Sequence, residues 1–530
     1  MTEAQSDDGS SSTIDALRQI VGADNVLTGD ADRRFFSSDV YREAGPAAVV
    51  IQPHTREELA AAVGAATKAG LAVIPRGGGL SYTGGYLPND SNAMIVDTRG
   101  LDRIVEINAQ DMYVTVEAGC TWKSLYEALG KKNVRTPYFG PLSGMYATVG
   151  GALSQNSMFF GSGLYGAAAD SVLGLQVVLA DGSILKTGSA ATPFQPSPFF
   201  RSYGPDLTGL FVGDTGALGF KVEATFKLIP APAATSFASF GFDSMEDLCQ
   251  VMAEVSRRGL AAECFGFDPF LQEQRMKRAG LIKDLKSLAG VARAGKSLGS
   301  GLKEATKVVA AGRRFMEGVN YSMHVVLDGR NEADATSRLE EARSIALATG
   351  TEVKNSMPKV VRAAPFGPPV TMLGPEGQRW VPIHAIVPHS RIVDTINAVQ
   401  DFFESQSALI DRHGIEWGYL LSTCGHQAFL VEPMFFWEDA RNYYHDRYLG
   451  DDHVSKLKTY PDNPAAREAV HTLRSGLADL FKERGAVHFQ IGKWYRYREG
   501  RHPETFQLLE IIKDYLDPAG RVNPGSLGLG

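Results

Sequence analysis

The 530-residue sequence predicts an α+β protein with more than one domain. Three observations predict it. From about Thr13 to Pro230, strand-like and helix-like segments alternate. After "PAPAAT" (Pro230–Thr235) the character changes, and helices mix with strands such as "SMHVVLDG" and "VPIHAIVP" as far as Pro461. From about Asn463 a closing segment holds a helical stretch, the cluster "HFQIGKWYRY", another helix and the ending "VNPGSLGLG".

Composition is that of a soluble globular protein, 44% hydrophobic and 21% charged. The formal net charge of -7 argues against nucleic acid as a partner, which normally leaves a basic footprint. Cys120, Cys249, Cys264 and Cys424 stand far apart and form no C-x-x-C pair, so neither a zinc site nor a disulfide framework is signalled. Residues 1–13, "MTEAQSDDGSSST", are acidic and serine-rich and read as a disordered tail. They lack the basic start and apolar run of a signal peptide, and no apolar stretch is long enough to span a bilayer. A cytoplasmic location is expected, with a peripheral membrane contact as a variant of it.

In order along the chain, "AAVVIQP" (Ala47–Pro53) has the pattern of a buried strand. "TREELAAAVGAATKAG" then predicts a helix, with Thr55 as N-cap, Glu58 three residues on and Gly70 just past the end. "LAVIP" completes a β-α-β unit and runs into "RGGGLSYTGG", which with the two residues before it packs five glycines into twelve positions. The strands "NAMIVDT", "YVTVEAG", "SVLGLQVVLADGSILKTG" and "FKVEATFKLIP" follow, with Asp181-Gly182 as a tight hairpin turn.

A loop so poor in side chains lets a ligand approach its backbone. It is not a nicotinamide-type fingerprint: that motif opens a helix, and "YTGGYLPNDSN" holds a proline and turn residues instead. A nest of backbone amides still binds phosphate without a helix. Elsewhere "GVARAGKS" (Gly290–Ser297) matches the P-loop pattern, but the residues before it form a basic helical pattern and not a buried strand, so the match is formal.

Three further glycine-rich segments follow in order: "PLSGMYATVGGALSQNSMFFGSGLYG" (Pro141–Gly166), "DLTGLFVGDTGALGFKVEATFKLIP" (Asp206–Pro230) and the terminal "VNPGSLGL". Their order and spacing resemble the PCMH-type FAD-binding fold of the vanillyl-alcohol oxidase / p-cresol methylhydroxylase superfamily, with features of its D-lactate dehydrogenase/glycolate oxidase branch. The resemblance implies an FAD-binding domain made from both chain ends, residues 14–230 and 463–530, and a central α+β substrate domain over residues 231–462. It places Arg76, Gly77, Gly78, Gly79, Leu80, Ser81 and Thr83 at the FAD pyrophosphate. Thr148, Gly150, Gly151, Ser154, Gly161 and Gly166 would line the cofactor, and Gly216, Leu218 and Gly219 would hug it from the third segment. Some members tether FAD through a histidine of the first loop, where this chain has Leu80. FAD is then expected to be non-covalent or linked from the substrate domain, with Tyr419 and His426 as candidates.

The resemblance implies hydride removal from an alcohol or para-alkylphenol, with the Tyr495-Arg496 pair holding the substrate anion and His426 or His488 as base. A 2-hydroxy acid is the alternative substrate, its carboxylate held by Arg496. No metal is expected, because the Glu-His pair of the metal-dependent members is replaced by Val487-His488. A flavin-binding electron-relay protein is the alternative from another class. Between Arg275 and Arg314, eleven basic residues against Asp284 and Glu304 give +9, with apolar residues at helical spacing. This basic insert, 275–314, reads as a docking surface for a cytochrome, quinone or membrane-surface electron acceptor, or as a solvated helix. A homo-oligomer is expected.

Overall fold

The computed structural model describes residues 6–194, 197–281 and 319–530. Helix α1 (Ser6–Val21) starts within the stretch expected to be a tail, so residues 6–13 are helical. The cause lies just beyond them. Ile14, Leu17, Ile20 and Val21 recur at helical spacing and share a core with Leu59, Ala62 and Val63 of helix α2 (Arg56–Lys68). Residues 282–314 of the basic insert, with the "GVARAGKS" match, lie outside the described residues.

The β-α-β unit forms as its sequence predicts. Strands β1 (Val26–Leu27), β2 (Val49–Ile51), β3 (Ala72–Arg76) and β4 (Ala93–Asp97) make a sheet of order β1-β2-β4-β3, parallel except for β1. Thr55 caps α2 by accepting the Glu58 amide at 3.1 Å, and the Glu58 carboxylate accepts the Thr55 amide in return. Gly70 takes φ +86° beyond the helix end. The free edge of β3 is taken up by the chain's far end: the Val73 amide donates to Arg521 and its carbonyl accepts from Asn523.

A second, antiparallel sheet has the order β5-β6-β9-β7-β8, from β5 (Ile104–Asn108), β6 (Tyr113–Glu117), β7 (Val172–Val178), β8 (Ile184–Lys186) and β9 (Phe220–Lys227). The turn between β7 and β8 is made by Asp181 and Gly182, the latter at φ +85°. Helix α3 (Val149–Gln155) lies against β9 and brings Gly151 of the second glycine stretch close to Gly77, just past the end of β3.

The central region is an eight-stranded antiparallel sheet. Its strands are β10 (Ala234–Phe242), β11 (Glu263–Phe267), β12 (Tyr321–Gly329), β13 (Thr351–Val353), β14 (Arg379–Pro382), β15 (Ala385–Pro388), β16 (Glu416–Cys424) and β17 (Ala428–Trp437). The order is β13-β10-β12-β11-β16-β17-β14, with β15 also paired to β17. Helices α4 (Met245–Arg257), α6 (Glu332–Ala346) and α7 (Ile392–Ser405) pack on the sheet, and α5 (Pro269–Leu281) lies beside β16. Three more helices follow the sheet: α8 (Tyr443–Leu449), α9 (Pro464–Glu483) and α10 (Pro503–Leu516).

A buried ion cluster ties this sheet to the glycine segments. Arg362 pairs with Glu263 at 2.6 Å and with Asp328 at 2.5 Å, Arg135 pairs with Asp328 at 2.7 Å, and Glu263 accepts the Gly161 amide. Among the described residues no helix is long and apolar enough to cross a membrane.

Candidate active site

Strand β3 ends at Arg76 and releases the chain into the first glycine loop. The loop is pressed against the second glycine stretch so closely that side chains are excluded. A Cβ on Gly77 would strike Thr148 Oγ1, and one on Gly78 the carbonyl oxygen of Tyr146. Gly79 takes φ +75°. Among the described residues, the amides of Gly77 to Ser81 donate to no protein acceptor, although buried backbone donors are nearly always paired. They belong to the wall of a cavity. Such a row of free donors, in a cradle that a Cβ would fill, suits a diphosphate.

The cavity is lined by Gly77, Gly78, Gly79, Leu80 and Ser81 from the first loop, and by Thr148, Gly150, Gly151 and Ser154 from the second. Gly219 reaches it from the third segment. The other expected cofactor residues stand behind this surface. Arg76, 1% exposed, is not among the lining residues; its guanidinium lies in a cage of Phe35, Phe36, Tyr86 and Tyr444, with ring centroids 4.6 to 6.0 Å away. Thr83 is buried, its hydroxyl 3.0 Å from Ser81 Oγ and its carbonyl accepting the Lys493 amide. Gly161 and Gly166 serve turns: a Cβ would meet Pro137 in the first and Asp170 in the second. Gly216 packs on Pro75, and Leu218 lies in the core. Thr215 (φ +55°) lines the cavity and was missed in the sequence, where it stands only as the residue before a glycine turn.

A second cavity adjoins the first, sharing Leu80, Pro141, Ser143 and Gln490 as walls. It is built largely by one face of the β16–β17 hairpin. Leu420 pairs with Glu432 and Ser422 with Leu430, so the two-residue period brings Leu430, Glu432, Met434 and Phe436 to the same side. Phe159, Trp380 and Phe489 complete an aromatic lining.

Glu432 is the carboxylate of this lining, 6% exposed among apolar neighbours. Burial pushes it up to about 7, opposed by a hydrogen bond from Tyr82 and by the Arg275 charge. Tyr82 Oη donates to Glu432 Oε1 at 3.3 Å, and its ring meets Trp380 edge-on with centroids 5.8 Å apart. Burial and the Glu432 charge hold the Tyr82 phenol well above its ordinary value, so it stays a donor. Arg275, from α5, supplies the cation of the lining. Behind Tyr82, the wholly buried Arg474 donates to its carbonyl at 3.3 Å and lies over the rings of Trp494 and Tyr41.

The residues expected to do the chemistry lie elsewhere. Tyr495 is buried, accepts the His384 amide at 2.9 Å and donates to His384 Nδ1 at 3.1 Å. His488 stacks on Tyr495 at 3.9 Å, donates from Nδ1 to the His384 carbonyl, and is lowered by burial to about 4. This neutral cluster lies outside both cavities; His488, Tyr495 and Arg496 line a separate pocket. Arg496 turns outward to Asp479 at 3.2 Å, because the chain turns repeatedly there, with Gln490 at φ +50° and Gly492 at φ +60°. His426 is exposed, its Nδ1 3.4 Å from the Arg257 carbonyl. Tyr419 points to the opposite face of β16 from Leu420 and packs on Trp417. Neither candidate for a flavin link lines either of these two cavities.

The comparisons with known proteins agree with the cradle. Residues 47–188 match the family model described as "FAD binding domain", and residues 491–527 match "FAD linked oxidases, C-terminal domain". The cofactor is FAD. Among solved structures, p-cresol methylhydroxylase with substrate bound superposes with a TM-score of 0.73 at 17% identity, covering 98% of this chain and 97% of that one. The 4-ethylphenol oxidase of Gulosibacter chungangensis, in its isoeugenol complex, gives 0.72 at 17% identity, covering 99% and 98%. These likenesses establish the PCMH-type fold. Among curated proteins, glycolate oxidase subunit GlcD of Bacillus subtilis is 28% identical over 45% of this chain and 49% of its own length. The mitochondrial D-lactate dehydrogenase [cytochrome] 1 of Saccharomyces cerevisiae is 28% identical over 47% and 42%. The chain thus spans about half the length of these curated relatives.

Proposed function

From a chain that carries an FAD binding domain and the C-terminal domain of FAD linked oxidases, we propose an FAD-dependent oxidoreductase acting on a small alcohol or para-alkylphenol with an apolar, aromatic-sized body. The observation that carries this reading is Glu432, a buried carboxylate facing an apolar cavity that adjoins the glycine cradle.

Bound FAD supplies the hydride acceptor. The amides of Gly77 to Ser81 would hold its diphosphate, with Thr148, Gly150 and Gly151 lining the same cavity. Glu432 takes the substrate hydroxyl proton at a carboxylate oxygen. With its pKa at about 7, the carboxylate can accept that proton near neutral pH. Tyr82 holds the carboxylate in place, and Trp380, Phe159 and Phe489 enclose the substrate body and exclude water.

A second reading, oxidation of a 2-hydroxy acid, is favoured by Arg275, a cation on the same wall that suits a substrate carboxylate, and by the names of the curated relatives. Anaerobic mixing with vanillyl alcohol, 4-cresol, D-lactate or glycolate, followed by loss of flavin absorbance, tests both. Bleaching by the aromatic compounds alone supports the first reading. Bleaching by the hydroxy acids alone replaces it with the second. If none bleaches the flavin while an electron-transfer protein reduces it, both give way to an electron-relay role.

A further inference from the structure

Helix α8 belongs to the central region, yet two of its hydroxyls reach the first glycine loop. Tyr448 Oη donates to the Gly78 carbonyl at 2.7 Å, and Tyr444 Oη donates to the Gly79 carbonyl, which also accepts Tyr86 Oη at 2.5 Å. We propose that Tyr444 and Tyr448 are positioning residues for FAD, which fix the direction of the diphosphate-binding amides from behind the loop.

In a trans peptide the carbonyl and the following N–H lie in one plane and point in opposite directions within it. Drawing the Gly78 carbonyl towards Tyr448 therefore turns the Gly79 amide the other way. Drawing the Gly79 carbonyl towards Tyr444 and Tyr86 does the same for the Leu80 amide. Those two amides have no protein acceptor among the described residues, and both residues line the cofactor cavity. Glycine-rich backbone has many competing conformations, so without a tether the loop would present its donors only part of the time.

The tyrosines are themselves held. Tyr444 is wholly buried and stacks on Phe35 with centroids 5.2 Å apart and planes 19° apart. Its ring also walls the Arg76 guanidinium, which puts a buried positive charge behind an anion site. The two tethers are unequal. Gly79 keeps Tyr86 when Tyr444 loses its hydroxyl, whereas Tyr448 is the one donor to Gly78 among the described residues.

The inference rests on FAD as cofactor and not on the choice of substrate. Its test is FAD titration of the full-length, flavin-depleted chain, read by quenching of flavin fluorescence, with thermal unfolding of the same flavin-free samples. Tyr448→Phe is expected to weaken FAD binding about tenfold, as for one lost hydrogen bond, and Tyr444→Phe by less. Unfolding of the flavin-free variants should stay close to that of the parent. Unchanged FAD affinity would overturn the proposal. So would a loss of affinity matched by an equal loss of flavin-free stability, which marks a merely structural role. Tyr448 is only half-buried, so its variant keeps the test open if Tyr444→Phe does not fold. A parent chain that takes up no FAD would remove the cofactor assignment itself, a different failure.

Discussion

The hydroxyl of Tyr82 lies 3.3 Å from Oε1 of Glu432, across 350 positions of sequence. One residue comes from the first glycine loop and the other from the middle of a strand in the central sheet. The contact therefore joins the two regions in the wall of the second cavity. It also stabilises the ionised form of a carboxylate that burial pushes up to about 7.

Tyr82→Phe removes that stabilisation and keeps the ring. The Glu432 pKa should rise further, and the rising limb of the flavin-reduction rate against pH should move to higher pH. The check is anaerobic reduction across pH 5 to 9 by whichever substrate bleaches the parent enzyme.

Glu432 should also set a pH dependence of stability. Its folded-state pKa, about 7, is raised above the ordinary value of 4.5. Below 4.5 the group is protonated in both states and contributes nothing. As pH rises from 4.5 to about 7 the unfolded chain ionises first, so stability is lost, and the loss is complete above 7. Glu432→Gln should then be more stable than the parent at pH 8, by up to about 3 kcal/mol, and indistinguishable from it near pH 4. Urea unfolding at the two pH values measures this.

How much of this site could be read in the sequence follows from the range of each signal. Local signals were legible: Thr55 with Glu58 and Gly70 set the limits of α2, and Asp181-Gly182 set the β7–β8 turn. The glycine spacing also marked Gly77, Gly78, Gly79, Gly150, Gly151 and Gly219, which line the first cavity, because backbone approach leaves glycine wherever a Cβ would collide. The surroundings of Arg76 are not local in sequence, and only packing shows its Phe35 and Phe36 cage. The cluster "HFQIGKWYRY" concentrates charge in sequence, but its turns send Arg496 to the surface and close Tyr495 on His384. Glu432 carried a faint signal, a lone carboxylate alternating with Leu430, Met434 and Phe436 in an apolar strand. Its partner Tyr82 was out of reach of any local pattern.

The cradle makes its own prediction. A Cβ on Gly78 meets backbone of Tyr146, which cannot swing aside, whereas one on Gly45 meets nothing within 4 Å. Gly78→Ala should destabilise the protein by about 1 to 3 kcal/mol and lower its FAD content, with Gly45→Ala as a near-neutral control. Thermal unfolding and the flavin-to-protein absorbance ratio report both effects.

The buried ion cluster is the other link between the two regions. Arg362→Met leaves Glu263 and Asp328 without their shared partner, with Arg135 remaining on Asp328 only. A loss of about 3 to 5 kcal/mol is expected in urea unfolding at pH 7. It should shrink at low pH, where the carboxylates are protonated.

The most direct test of the active-site assignment is the rate of anaerobic flavin reduction by substrate in Glu432→Gln, beside Arg496→Ala and the parent enzyme. Glu432→Gln should bind FAD normally, be reduced about 10²- to 10⁴-fold more slowly, and lose the dependence on a group titrating near pH 7. Arg496→Ala, on the surface with Asp479, should be reduced at close to the parent rate. Parent-like reduction of Glu432→Gln, with reduction abolished in Arg496→Ala, would contradict that assignment.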